Sequence, residues 1–290
     1  KDSNNNIKHL IVLDSLIISD SAYVTTKWAT LTPKDVIARS TVSNTAKFKG
    51  DKDLIMQNEQ VPQTILGNGS YSKLKIDNPN GVTVKGGGFQ VEASLTLNRG
   101  LLNNDSANNF TMLDSSKIIR NVGGSIATTP VIEKNIDLHY GGVGDISSGA
   151  EIPKEPSAVN NMIVNNAGTL KLNSHVTVND SLFVYEYLDT GNDTLTLATT
   201  KNPVFESSNT DAQIGGTIEL TKLRSDSTRM YLHNPYTYAI FKNDDVRNGI
   251  TRLVVSIKPR TFPALFGGNT KVKRSINIDG FDDFGNNVKS

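Results

Sequence analysis

The sequence predicts an all-β protein, a parallel β-solenoid followed by an antiparallel module, and three observations predict it. Residues 74–97 and 162–184 superpose with a one-residue gap: Leu74 and Ile76 fall on Met162 and Val164, and Val82 and Val84 on Leu170 and Leu172. Phe89 and Val91 then match Val176 and Val178, and Leu95 and Leu97 match Leu182 and Val184. Each pair is spaced i, i+2, which marks one face of a very short strand. Asn, Asp, Gly and Ser lie between the pairs, and these residues tolerate tight corners. Strands this short bury little alone and must stack on copies of themselves. The third observation is a change of period near Gly216, after which strands lengthen and aromatics appear.

Taken in order, residues 1–6 are polar. The run from Ile7 is the most continuously apolar in the chain, and its alternation (Leu10 and Val12; Leu16 and Ile18; Tyr23) predicts two strands with a corner at Asp14-Ser15 or Asp20-Ser21. That run reads as the first coil of the solenoid or as a strand donated to a neighbouring subunit. Thr32-Pro33-Lys34-Asp35 has the form of a helix start, and the spacing predicts a short helix through Val36–Arg39. Short strands follow in TAKFK, DLIMQ and PQTIL. The repeat proper starts near Tyr71, with equivalent strands at Leu74, Leu95 and Ile118 and again at Met162, Leu182 and Val204. Those spacings of about 20 to 23 residues suit a three-strand coil, so each block of about 60 residues makes roughly three coils. Gly123-Gly124-Ser125-Ile126 and Gly215-Gly216-Thr217-Ile218 are expected to close the two blocks alike. Residues 140–158 lack periodicity and read as an excursion from the stack. The organisation expected is 1–70 for the first coils, 71–215 for the solenoid repeats and 216–290 for an antiparallel, sandwich-like module of about five strands that caps the stack.

Composition narrows the function. The chain of 290 residues has no Cys, which removes disulfides, zinc ribbons and thiol nucleophiles. A net charge of +1 gives no reason to expect nucleic acid as partner. No stretch approaches the roughly 20 apolar residues of a membrane span. The chain opens at Lys1 without Met, as a processed segment would.

The blocks GTLKLNSHVTVNDSLFV and GVTVKGGGFQVEASLTLNRGLL resemble repeat units of secreted parallel β-helix surface proteins. The closing text GGTIEL, YLHNPYTYAIF, VSIKPRTFP and VKRSINI resembles the β-module that follows such repeats in proteins exported by the type IX route. The resemblance implies an extracellular or cell-surface location. Asp followed by Ser or Thr recurs at Ser15, Ser21, Ser106, Ser181, Thr194 and Ser227, and resembles the O-glycosylation acceptor pattern of bacteria that use this route. The same dipeptide also makes a good solenoid corner.

The possible constituents of a reactive site are Lys75 and Asp77, Lys85 and Glu92, and Arg99 and Arg120, whose alternation is that of a solvated strand face. The four His (His9, His139, His175, His233) show no metal-ligand spacing. Residues 279–283 could gather oxygen ligands but lack calcium-loop spacing, and Tyr231, Tyr236, Tyr238 and Phe241 could stack on sugar rings or fill a small core. The expectation is therefore a protein with no catalytic, cofactor or metal site. It is expected to be a non-enzymatic extracellular structural subunit of a cell surface, sheath or filament. It would self-associate head to tail through a contact strand including Leu10, Val12, Leu16 and Ile18. The alternatives are a polysaccharide-binding or polysaccharide-cleaving β-helix, or an adhesin, with cell-surface glycans as partners.

Overall fold

The structure is a computed structural model that describes residues 10–19, 23–25, 35–49, 52–206, 208, 212–224, 226, 228–240, 250–259, 274–282 and 284–288. Within these the regular structure is all β, without a helix. The chain divides into two units, residues 1–143 with 149–158, and residues 144–148 with 159–290.

Unit 1 is a parallel solenoid with three sides, A, B and C. Its first coil is β1 (Leu10–Val12), β2 (Leu16–Ile18) and β3 (Tyr23–Thr25). The second is β4 (Val36–Ala38), β5 (Val42–Asn44) and β6 (Lys47–Lys49). The third uses β7 (Leu54–Met56), β8 (Gln63–Leu66) and the start of β9 (Ser70–Asp77). The rest of β9 opens the fourth, which continues through β10 (Val82–Lys85) into β11 (Gln90–Asn103). Strand β11 turns two corners of the stack, and β12 (Thr111–Met112) completes the fifth coil. Strands β13 (Ser116–Ile126) and β14 (Val131–Ile132) form the sixth, and β15 (Ile136–Val143) opens the seventh.

The register proves the repeat. On side A, Leu10, Val36, Leu54, Leu74, Leu95, Ile118 and Leu138 stand one above another. All but Leu10 are at most 2% exposed, and each such side chain gains roughly 1.5–3 kcal/mol on burial. Side B stacks Val82, Leu102 and Ile126, and side C stacks Phe48, Tyr71, Val91 and Met112. Beside them Phe89 and Phe110 stack with centroids 4.7 Å apart, and Tyr71 meets Phe89 edge-on at 5.4 Å.

Buried asparagines hold the corners, which accounts for an Asn-rich chain. The Asn44 amide donates to Ser70 O (3.1 Å), and its Oδ1 accepts from Ala46 N–H (3.0 Å). Asn78 donates to Gln63 Oε1 (3.0 Å) and accepts from Asn80 N–H (2.9 Å). A corner has backbone groups that no strand can satisfy, and a short amide side chain supplies both a donor and an acceptor there.

The helix expected at Val36–Arg39 is instead strand β4, paired on both edges with β1 and β7. Two β-branched residues and a place in the ladder outweigh the N-terminal capping signal. The corner at Asp14-Ser15 and the strands in TAKFK, DLIMQ and PQTIL are as expected. The coils begin by Leu10 and continue past Tyr71 on the same ladders.

Unit 2 contains β16 (Ile146–Ser147), so the stretch expected as an excursion contributes a rung. It continues with β17 (Val159–Ala167), β18 (Thr169–Lys171), β19 (Val176–Val178), β20 (Ser181–Val184), β21 (Tyr187–Leu197), β22 (Val204–Phe205) and β23 (Gln213–Leu220). Its columns are Met162 with Leu182, then Ile146, Leu170, Leu188 and Ile214, then Val176, Leu195 and Ile218. Val204 stands against Phe183, one residue out of the expected line with Leu182, and is 49% exposed while Pro203 is buried. The two Gly-Gly corners also differ. Gly123-Gly124 lies between sides A and B, whereas Gly216 (φ +90°) lies between the columns of Ile214 and Ile218.

Past β23 the direction reverses. A hairpin of β24 (Arg229–Asn234) and β25 (Thr237–Ile240) forms its own small sheet. Strand β26 (Arg252–Pro259) lies antiparallel on β23, and β27 (Arg274–Phe281) lies antiparallel on β26. The aromatic-rich segment is thus two antiparallel sheets, one of them grown directly on the last coil.

Candidate functional site

Where side A ends in unit 1, polar side chains join rung to rung. Arg39 donates to Gln57 O (3.4 Å), Gln57 to Asp77 Oδ2 (3.5 Å), Asn98 to Asp77 Oδ1 (2.8 Å), and Asn121 to Asn98 Oδ1 (2.7 Å). Arg99 bridges Asp77 and Glu59, each at 2.5 Å. Partial burial works against the Asp77 charge, but the hydrogen bonds from Arg99 and Asn98 outweigh it and hold the carboxyl below its ordinary value. Two rows away, burial and then the neighbouring Asp35 push the Asp53 carboxyl up, against Lys73, Lys75 and Lys117. Burial, then Lys117, lowers His139.

Inside unit 1 lies a buried ionic cluster. Glu151 is fully buried, and its Oε1 accepts from Arg120 (2.5 Å), the Tyr140 hydroxyl (3.1 Å) and Gly149 N–H (2.9 Å). Arg120 and Tyr140 stand where Leu97 and Ile76 stand in earlier coils, so the hydrophobic column ends in a charge that residues 149–158 neutralise. Burial first, and the Glu151 charge second, raise the Tyr140 phenol well above its ordinary value. The sequence offers Arg120 as a possible constituent of a reactive site; its partner Glu151 carries no sequence signal beyond being an isolated acid in an aperiodic stretch.

In unit 2 an open cavity of about 520 Å³ is lined by Thr200, Lys201, Leu223, Arg224 and Asp226. Lys201 pairs with Asp180 (2.5 Å) and Arg224 with Asp226 (2.8 Å). The loop on one wall is tied to the hairpin, since Asn202 donates to Arg229 O (2.9 Å) and accepts from Tyr231 N–H (3.0 Å). The Arg229 guanidinium lies 4.5 Å from the Tyr238 ring centroid, and Tyr231 meets Tyr238 edge-on at 6.3 Å. Tyr238 is 42% and Tyr236 87% exposed. Sequence reading singled out the tyrosines and missed the cavity, because residues 200 and 224 are joined only by the fold.

The remaining sequence-derived residues scatter. Ser15 and Ser106 are exposed at solenoid corners, Ser181 opens β20 with its hydroxyl 3.2 Å from Asp180, and Thr194 is half-buried in β21. Ser21, Ser227, Phe241 and His9 lie outside the described residues. In the first coil Leu10 is exposed, Val12 and Leu16 are half-buried and Ile18 is buried. Lys75 lies near Asp53, Glu92 meets Lys47 (3.7 Å) and Ser70 (2.8 Å), and Lys85 stacks on Leu66. His175 is exposed beside Asp193, and buried His233 engages Ile214 O through Nδ1 (2.6 Å). Asp282 accepts from the backbone of Phe284 and Asn286, so this corner closes on itself. Among the described residues no group of three acidic or His side chains is placed to hold a metal.

No protein-family model, curated protein or solved structure matches the chain.

Proposed function

We propose that this chain is a non-enzymatic extracellular structural protein, a cell-surface, sheath or filament subunit that associates head to tail through its first coil. The supporting observation is the outer edge of that coil. Leu10 and Leu16 N–H and Val12 and Ile18 C=O bond to the second coil, so the alternating Ile11 and Ile17 turn their backbone groups outward. Leu10, Ile11, Leu13 and Ile17 are 49–79% exposed. Strands β1 and β2 (LIV and LII) carry no charge or Pro, the usual protections of an edge. In unit 2, β27 is met on its outer edge, among the described residues, only near Gly280 and Phe281. Each unit thus offers a strand edge of the kind that head-to-tail strand addition uses.

Electron microscopy and sedimentation of the full chain test this, against a form lacking residues 1–25 and against Ile11→Lys/Ile17→Lys. Filaments are expected from the full chain and soluble monomers from both variants; filaments that persist in either variant refute the first-coil contact. Export by the type IX route and glycosylation at the exposed Ser15 and Ser106 belong to the same reading. Intact mass of native material checks the sugar, an unmodified mass at both serines counting against it. A second reading, a polysaccharide-binding protein or adhesin, is supported by the tyrosine hairpin beside the cavity in unit 2. Cleavage, should it occur, would show as unsaturated-product absorbance.

A further inference from the structure

We infer that the cavity lined by Thr200, Lys201, Leu223, Arg224 and Asp226, with the adjoining tyrosine hairpin, is a binding site for an uncharged oligosaccharide. This deepens the second reading above and is independent of self-association. The volume of about 520 Å³ falls in the range of ligand sites. Charge selects the ligand class. Each cation of the cavity wall has its own carboxylate, Lys201 with Asp180 and Arg224 with Asp226, and the Arg229 guanidinium of the hairpin is turned onto the Tyr238 ring, so each of these three cations is already engaged rather than held out for a phosphate or an acidic sugar. What the ion pairs offer is a set of fixed donors and acceptors, the complement of a ring carrying many hydroxyls.

Asp226 is oriented for that work. Its Oδ1 accepts from the Thr228 hydroxyl (2.5 Å) and N–H (3.1 Å), and its Oδ2 from Arg224 (2.8 Å). These bonds, the Thr228 hydroxyl first and Arg224 second, hold its pKa at about 2, so it remains an acceptor at any physiological pH. Three residues on, Arg229 pins the ring of Tyr238, which stays 42% exposed, and Tyr236 stands at the hairpin tip. An aromatic ring with one wet face, fixed beside polar groups, suits the apolar face of a sugar. Leu223 adds apolar contact in the cavity itself.

The test is calorimetric titration of the full chain with cellohexaose, laminarihexaose and mannohexaose, and with hexagalacturonate as the charged probe. One neutral hexasaccharide is expected to bind saturably, with an affinity unchanged by high salt. Asp226→Ala and Tyr238→Ala should each weaken it by about tenfold or more. Asp226 and Tyr238 are exposed, and an unchanged urea midpoint will show that neither variant acts by unfolding. Should a variant unfold, Tyr236→Ala, at the exposed tip, replaces it. The inference is overturned by no saturable binding of any neutral probe, by binding that both variants leave intact, or by preferred, salt-suppressed binding of hexagalacturonate. Filament formation can be lost with sugar binding intact, and the reverse, so the two proposals fail separately.

Discussion

Glu151 shows how much a single residue in an aperiodic stretch can matter. Its carboxylate is wholly buried against Arg120 and Tyr140, so removing it leaves a nearly buried guanidinium uncompensated. Glu151→Ala should cost about 3–5 kcal/mol, while Arg120→Leu/Glu151→Leu should recover most of that loss. A double-mutant cycle in urea checks both. The same interior sets the alkaline limit. Tyr140 and Tyr71 are buried and hold their protons above the ordinary phenol value, burial being the main cause for both. The unfolded chain loses those protons near pH about 10, so their stabilisation is complete below that pH and falls as pH rises toward the folded values. Urea midpoints at roughly pH 9 and pH 11 should therefore diverge, and less so in Tyr71→Phe. Asp77 works at the opposite end. Its carboxyl is depressed, so its contribution is present above about pH 4 and disappears on acidification through the folded value. None of these partners was legible in the sequence: Glu151 is 31 residues from Arg120, and no period links them.

At the scale of elements the sequence was far more legible, because a coil repeats its own spacing. Leu74, Leu95 and Ile118 could be aligned by counting, and the ladder places them in register. Counting failed where a local signal competed with the stack. Thr32-Pro33 reads as a helix start, yet Val36–Ala38 is a rung; Pro203 takes the inward place assigned to Val204. Corners give a sharp test. Gly100 has φ +81°, and a Cβ there would lie 1.9 Å from Asn78 O, whereas Gly285 has the same φ and nothing within 4 Å. Gly285→Ala should cost about 1–2 kcal/mol and Gly100→Ala clearly more, since backbone clash adds to the left-handed strain. Within side C, Phe110→Ala removes the partner stacked on Phe89 and should cost about 3–5 kcal/mol. Thermal midpoints of the purified variants decide both.

For the whole molecule, the columns make each coil depend on its neighbours above and below and on little else. The C-terminal segment departs from that rule: β26 lies against β23 in the opposite direction, and among the described residues the parallel repeat ends there. Sequence showed this transition as a loss of period after Gly216. It did not show that the hairpin of β24 and β25 forms a sheet of its own while β26 and β27 extend the last coil, since a row of strands carries no signal of which pairs with which.

The even register has a genetic corollary. Leu74 and Leu95 occupy the same place on successive levels, and 95 − 74 = 21 residues separate them. Excising residues 75–95 as a block would bring Thr96 directly after Leu74 with every inward position still inward, a shorter stack of the same weave. Losing only one residue from the same segment would turn its inward side chains outward. Such a chain tolerates whole paragraphs being cut or copied better than a single misprint, and its length is the property evolution can edit most freely.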